Sequence, residues 1–386
     1  MRILHVASSL DPRGGGVAEA IRQTGAALVR AGHATEVVTV DPPGAPWLEG
    51  LPFPVHALGP SRGSYQYARG LEAALRARRG DFDCLVTHGL WQHHGFAAWR
   101  AWPAATRFVF PHGMLDPWFK RTYPKKHLKK WLYWPWAEYR ILRGARAVFF
   151  TCEEERRLAR ESFWLYRANE AVNPLGIEEP PGDAARQKEA FLQRFPELRE
   201  RRLILFLGRL VVKKGVDHLL IAYGELRRAG KWPDNVTLVM AGPEDEANPG
   251  FSRKLCGSVD AAGVHWPGML AGDLKWGALH AVEAFVLPSH QENFGIAVVE
   301  TLACSKPVLV ADKVNIWREI VEDGAGLVAD DTVEGTKDLL SRWFALPAGE
   351  RAAMGRRARA SFERRYQVDR STASLVEQLR GFGVAG

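Results

Sequence analysis

Short apolar blocks alternate with longer stretches of helical periodicity along almost the whole chain, the pattern of parallel βαβ units. In the first half ILHVA reads as a buried strand, Gly14-Gly15-Gly16 as a loop, and Val17 to Ala31 as a helix stopped by Gly32; EVVTV follows as the next strand. Further strands are expected at CLVTH (84–88), RFVFPH (107–112), AVFFT (147–151) and near Ala171-Val172. Apolar periodicity then lapses in NPLGIEEPPGD (173–183), a stretch rich in Pro, Gly and acid, and the domain junction is placed there. The same grammar restarts at LILFLGR (203–209), with a helix from about Asp217 to Arg228 and strands at NVTLVMAG, GVHWPG, AFVLPS and PVLVAD. From Ala348 the chain is basic and helical, and a break near Tyr366-Gln367-Val368 precedes a final amphipathic helix. The pattern predicts two doubly wound α/β domains in tandem, with ligands at the carboxyl ends of the strands in a cleft between the two sheets.

Composition narrows the class. A length of 386 residues suits two domains, and 46% hydrophobic with 25% charged residues is ordinary for a globular protein. The four cysteines (Cys84, Cys152, Cys256, Cys304) are scattered, without a CxxC or Cys/His cluster, which points to reduced thiols in a cytosolic protein rather than a disulfide framework or structural zinc. The N-terminus MRILHVASSL reads as a first strand and not as a signal peptide, and no apolar run is long enough to span a membrane. The net charge of +8 suits anionic partners without choosing among them.

The candidate chemistry gathers in the second half. In LPSHQENFGIAVVETLACSKPVLVAD, Glu292 follows a predicted strand, and Gly295 opens an apolar helix that carries Glu300. A helix N-terminus offers free N–H groups and a positive dipole end to an anion. Eight residues of helix span about 12 Å, less if the first lies in a loop, which is roughly the reach from a sugar to a ribose across a diphosphate. In FLGRLVVKKGVDHLL (206–220), Arg209 and Lys214 lie just past a strand end, where two cations neutralise a diphosphate leaving group. The alternative for each of these four side chains is a solvated surface charge.

The first half is less legible. Gly14-Gly15-Gly16 fails the G-x-G-x-x-G dinucleotide fingerprint because position 19 is Glu, although Asp41 after the second strand imitates its ribose acid. His112 follows a predicted strand and precedes Gly113, so it faces a site or is structural. His88, His93 and His94 lack a carboxylate or Cys partner at ligand spacing, which favours acceptor-side or structural roles over a metal. Asp81-Phe82-Asp83 spells the D-x-D of metal-dependent transferases but precedes its strand, and is read as a chance match, so no metal is implied. KRTYPKKHLKKWLYWPW (120–136) has six Lys or Arg in its first eleven residues and no acid, with Trp131, Tyr133, Trp134 and Trp136 close behind. It reads either as an anionic-membrane or lipid-pyrophosphate contact or as a solvated face over a Trp-lined packing surface. Nucleic acid ranks low, since no nucleic-acid motif accompanies it.

Gly208-Arg209-Leu210 with Lys214-Gly215, followed by Glu292-Asn293-Phe294-Gly295 and Glu300, resembles the retaining glycosyltransferase family 4, the "group 1" transferases of polysaccharide and glycolipid synthesis. The similarity runs over nearly the whole chain. It implies a GT-B fold, α/β with two Rossmann-like domains at 1–177 and 178–365 facing a central cleft, and a helix at 366–386 returning to the first domain. It implies a metal-independent hexosyltransferase with no cofactor, taking a UDP- or GDP-linked sugar donor and a saccharide or lipid-linked saccharide acceptor. The expected location is the cytoplasm, at the inner face of the plasma membrane. By the same resemblance Glu292 contacts the transferred sugar, Glu300 the ribose, and Arg209 and Lys214 the pyrophosphate. Backbone N–H groups of Asn293, Phe294 and Gly295 approach sugar and phosphate, the Gly14, Gly15, Gly16 loop closes over the donor phosphate and acceptor, and His112 lies near the anomeric carbon. Competing functions are a nucleotide-sugar epimerase or hydrolase, which would convert donor without acceptor, and a non-catalytic sugar-nucleotide-binding subunit. A nicotinamide-dependent dehydrogenase is the rival at the level of fold.

Overall fold

A computed structural model describes residues 1–244, 250, 251, 255, 257 and 261–385, so Cys256 lies outside the described residues. The chain divides into two compact units, Met1–Ile177 joined by Arg365–Gly386, and Glu178–Arg364.

The first unit is built on strands β1 (Arg2–Val6), β2 (Ala34–Thr39), β3 (Val55–Ala57), β4 (Cys84–His88), β5 (Arg107–Phe110), β6 (Ala147–Phe150) and β7 (Glu170–Val172). They form one parallel sheet in the order β3-β2-β1-β4-β5-β6-β7. Helices cover both faces of such a sheet, which is why β4, β5 and β6 are buried at every position. The helix Val368–Gly381 belongs to this unit: Leu375, Val376 and Leu379 join the core with Ile3, Phe108 and Phe149. Ile177 donates its N–H to Tyr366 O at 2.7 Å, and Val368 N–H donates back to Ile177 O at 3.0 Å.

The second unit repeats the plan with β8 (Arg202–Leu207), β9 (Val236–Ala241), β10 (His265–Gly268), β11 (Ala284–Leu287), β12 (Val308–Ala311) and β13 (Gly326–Ala329), all parallel in the order β10-β9-β8-β11-β12-β13. In both sheets the order reverses beside the first strand. Loops leaving β1 and β4, and those leaving β8 and β11, therefore diverge and open a crevice at the carboxyl edge.

The apolar blocks mark most of these strands, with two differences. RFVFPH contributes strand only to Phe110, and His112 sits in a turn with φ of +51°. Strands β3 and β13 lie at sheet edges and are only half-buried; β3 is short and interrupted by His56, while the apolar GLVA of β13 lies outside the strands expected from the pattern.

Candidate functional site

In the second unit, the loop after β8 passes through a tight turn, Val212–Lys214, and enters the helix Val216–Arg228 at Gly215. Gly215 has φ of +70°, and a Cβ there would stand 1.9 Å from Pro288 O in the loop after β11. Only glycine lets these two loops meet. They are then tied together: Ser289 Oγ donates to Lys213 O at 2.9 Å, and His290 N–H donates to the same oxygen at 3.0 Å. Glu292 is pinned on its other side, its N–H donating to Lys313 O at 3.0 Å and its carbonyl accepting from Asn315 N–H at 2.9 Å. This framework places the Lys214 ammonium in an ion pair with the Glu292 carboxylate, both side chains less than one-fifth exposed. Burial first, then the positive charges of Lys213 and Arg209, pull Lys214 down to about 7. The Glu292 carboxylate is the counter-charge beside it, and an opposite charge at contact favours the ionised amine. Arg209 is exposed at the start of the loop after β8.

Gly295, with φ of +76°, caps the helix Ile296–Ala303. Asn293 is half-buried, its side chain accepting from Asn315 Nδ2 at 3.4 Å, while Phe294 is buried. Glu300 lies one helical turn further on and is almost covered, paired at 2.7 Å with Lys275. Lys275 comes from the helix Gly272–Ala281, and its ammonium also sits 4.4 Å from the centre of the Trp276 ring. Sequence reading missed Lys275, since its pairing with Glu300 depends on how two helices flank β11. The two glutamates are thus each matched to one lysine and not to each other. Asp217, His218 and His290 also bring ligand-type atoms within 4.8 Å of one another. The Asp217 carboxylate, 3.8 Å from His290 Nε2, and then Asp331, which accepts from His290 Nδ1 at 3.3 Å, raise the His290 pKa, so this cluster reads as an ion-paired knot behind the Lys214 turn.

In the first unit, the loop after β1 is organised by Asp41, which is buried and accepts from Ser9 Oγ at 2.5 Å and Leu10 N–H at 2.9 Å. The acid that imitates a ribose ligand is therefore spent on loop geometry. Asp11 caps the short turn Pro12–Gly14, and Gly15, at φ +81° and ψ −145°, leads into the helix Gly16–Arg30. Gly14, Gly15 and Gly16 are exposed, and a Cβ at Gly14 or Gly15 would meet nothing within 4 Å. The bare backbone of this loop and the helix N-terminus behind it suit close approach by an anion.

His112 lies beyond β5 in consecutive positive-φ positions with Gly113. The turn is held by Glu155, a buried carboxylate that accepts from Gly113 N–H and, at 2.7 Å each, from Thr151 N–H and Oγ1. His88 is a buried link, bonded to both His5 and His112, and His94 Nε2 donates to His88 O at 2.8 Å. His93 packs edge-on to Tyr65. Asp83 of the D-x-D triplet pairs with Arg2 at 3.1 Å, at the amino end of the sheet.

The basic, aromatic segment folds into the helices Trp118–Thr122 and Pro124–Tyr133. Its two readings divide by residue. Trp134 is fully buried, and the Lys130 ammonium turns inward over the Trp91 ring at 4.5 Å, whereas Leu128, Trp131, Leu132 and Trp136 are exposed. His127, Leu128, Trp131 and Trp164 line a groove of about 520 Å³. Among the described residues no helix is long and apolar enough to cross a membrane.

Residues 15–176 match the family model "Glycosyl transferase 4-like domain", and residues 187–361 match "Glycosyl transferases group 1". The chain is 24% identical over its full length to 97% of a GDP-mannose-dependent alpha-(1-6)-phosphatidylinositol dimannoside mannosyltransferase from Mycobacterium tuberculosis. It is 28% identical, over 57% of its own length, to a D-inositol 3-phosphate glycosyltransferase from Kineococcus radiotolerans, of which it spans about half (54%). Among solved structures, Alr3699/HepE of Anabaena, in complex with UDP and glucose, superposes with a TM-score of 0.75 at 16% identity, over 99% of this chain and 100% of that one. Both halves of the chain and its paired parallel sheets agree: this protein has the GT-B fold and belongs to the group 1 glycosyltransferases, enzymes that move a glycosyl group from a nucleotide sugar.

Proposed function

We propose that this protein transfers a hexosyl group, with retention at the anomeric carbon, from a UDP- or GDP-linked sugar to a glycan or lipid-linked saccharide, without a metal ion. The observation that carries this reading is the Lys214–Glu292 pair, held at the carboxyl edge where β8 and β11 diverge. A diphosphate arriving there finds Lys214, Arg209 and the N-terminus of the helix Ile296–Ala303, three sources of positive potential for a leaving group. The incoming phosphates draw Lys214 away from Glu292, which frees that carboxylate for sugar hydroxyls. Glu300 binds the ribose, Lys275 keeping it charged, and the N–H groups of Asn293, Phe294 and Gly295 reach the sugar and phosphate. The Gly14-Gly15-Gly16 loop covers the phosphate, and His112 hydrogen-bonds the sugar.

In the reaction the bond between the anomeric carbon and the diphosphate oxygen breaks, and the acceptor hydroxyl forms its new bond on the same face. The acceptor's proton passes to the departing diphosphate oxygen. Glu292 orients the sugar and does not attack it. The test is thermal-shift binding of UDP, GDP and ADP, followed by incubation of the matching donor with and without a saccharide acceptor. Stabilisation by one of these nucleotides and acceptor-dependent transfer are expected. Complete conversion of donor without acceptor would establish the epimerase or hydrolase instead.

A lipid-linked acceptor, met at the inner face of the plasma membrane, is the form of this reading that exposed Leu128, Trp131, Leu132 and Trp136 among lysines support. Co-sedimentation with anionic but not neutral vesicles, lost in Trp131→Ala/Leu132→Ser, is the expected result; equal recovery with both vesicle types removes the membrane from the proposal.

A further inference from the structure

Three imidazoles from three adjacent strands form one hydrogen-bonded chain in the first unit. His5 lies within β1, His88 ends β4, and His112 follows β5, and β1, β4 and β5 are neighbours in the sheet. His5 Nδ1 is 2.9 Å from His88 Nε2, and His88 Nδ1 is 2.9 Å from His112 Nε2. The rings overlap along the series, with centroids 5.1 and 5.2 Å apart.

A neutral imidazole has one N–H and one lone pair. His88 uses both nitrogens in this chain, so it donates in one direction and accepts from the other. Only two arrangements satisfy both links. In one, every ring is protonated on Nδ1 and the chain donates from His5 through His88 to His112. In the other, every ring is protonated on Nε2 and it donates the opposite way.

The blind end of the chain decides between them. His5 Nε2 is buried and without a partner. The second arrangement would put an orphaned N–H there, and the first only an unused lone pair. Orphaned buried donors are the rarer and costlier of the two, which favours the first arrangement by a ratio on the order of ten to one. His94 follows the same rule: its Nε2 must carry the proton given to His88 O, which leaves its buried, unpartnered Nδ1 as a lone pair. Burial keeps the rings uncharged, pulling His5 and His112 down to about 4 and His88 well below its ordinary value.

We propose that His88, with His5 behind it, is a positioning residue that fixes His112 in its Nδ1–H form, so that His112 meets the reacting sugar as a hydrogen-bond donor and cannot serve as a base. Its Nε2 lone pair is taken by His88, and its Nδ1 has no partner within the described residues and is not sealed from solvent. The positive-φ turn at His112 and Gly113, anchored by Glu155, holds the ring at the open end of the chain. The role toward sugar rests on the glycosyl-transfer reading, but the tautomer does not.

The experiment is nitrogen-15 NMR of the histidine side chains in the full-length protein at neutral pH, with His112 assigned by His112→Gln. The expected wild-type signature is a protonated Nδ1 and a bare Nε2 at His112; a protonated Nε2 overturns the proposal. His88→Phe keeps an aromatic ring but removes both links. His5→Phe leaves the His88–His112 contact and moves the blind end to His88 Nε2, where the same rule keeps the proton on Nδ1; His112 is expected to stay Nδ1–H there, and a protonated Nε2 in that variant overturns the proposal even where His88→Phe fails to fold. Loss of the Nδ1–H preference at His112 is expected in folded His88→Phe, with kcat down tenfold or more and donor KM within about threefold. An unchanged tautomer in folded His88→Phe, or unchanged kcat once the tautomer has shifted, counts against it. If wild-type protein transfers no sugar yet the tautomers behave as stated, the function assigned above fails while the imidazole chain stands.

Discussion

Replacing Gly215 with Ala tests whether contact between two loops builds the donor site. The added Cβ would lie 1.9 Å from Pro288 O and 2.6 Å from Pro288 C, so backbone must move. Two costs combine. Placing an L-residue in the left-handed region at φ +70° costs about 1–2 kcal/mol. Forcing an extra methyl group into a filled space costs about 1–3 kcal/mol more. The total is about 2–5 kcal/mol of local stability. Gly230 supplies the control, since its φ is +65° and a Cβ there meets nothing within 4 Å. Gly230→Ala therefore carries only the first cost, and the difference between the variants isolates the Pro288 contact. Two units need not unfold as one, so hydrogen exchange of peptides spanning 202–229 is a better assay than a global melt. Gly215→Ala is expected to exchange faster by about 1–3 kcal/mol relative to Gly230→Ala and to bind nucleoside diphosphate more weakly, because Lys214 is carried off Glu292. Equal exchange in the two variants would refute the argument.

Glu292→Gln releases Lys214 and removes a negative charge beside the phosphates, so nucleoside diphosphate affinity should hold or rise while kcat falls at least tenfold; weaker nucleotide binding with normal turnover contradicts this assignment. Glu300→Gln should weaken nucleotide binding about tenfold, and Lys275→Met should do so in part, since a carboxylate losing its hydrogen-bonded cation loses about 1.5–3 kcal/mol of interaction; isothermal titration checks both. Acid should weaken the first unit between pH 6.5 and 4. His5, His94 and His112 are held near 4 by burial, so their contribution is complete above the unfolded value of 6.5 and is lost as pH falls. Glu138, pushed up to about 7 by burial, runs the other way and gains. At pH 5 each imidazole loses about 2 kcal/mol and Glu138 returns about 2 kcal/mol, for a net loss of a few kcal/mol. Exchange protection in β4 and β5 that is flat or rising from pH 7 to 5 would exclude this balance.

What the sequence revealed and what it hid follow from range. ILHVA, CLVTH and AVFFT are legible because a strand buried on both faces must be apolar throughout, and local spacing records that. Val55–Ala57 stays hidden because a three-residue edge strand broken by His56 leaves too short an apolar signal, and Gly326–Ala329 because four apolar residues without β-branched neighbours are as consistent with a loop or helix start. The Glu292 and Glu300 segment could be read because its strand, glycine and helix are contiguous. Their lysine partners could not be paired, since Lys214 is 78 residues and Lys275 is 25 residues away. The imidazole chain left one local trace: His5 is the polar intruder in an otherwise apolar strand. Its partners appear only once β1, β4 and β5 are known to be neighbours. Trp134 stays ambiguous between the two readings, because a tryptophan among exposed lysines looks the same in sequence whether it turns outward or in.

The helix Val368–Gly381 has a further consequence for how the chain comes off the ribosome. Residues 178–364 are contiguous, so the second unit has all its parts as soon as they emerge. The first unit begins earlier but waits nearly two hundred residues for Leu375, Val376 and Leu379 to close over Ile3 and Phe108. The half synthesised first is thus completed last, and during that interval an apolar sheet face stands open to chaperones. A nascent chain arrested before residue 365 should hold a protease-resistant second unit beside an unfinished first one.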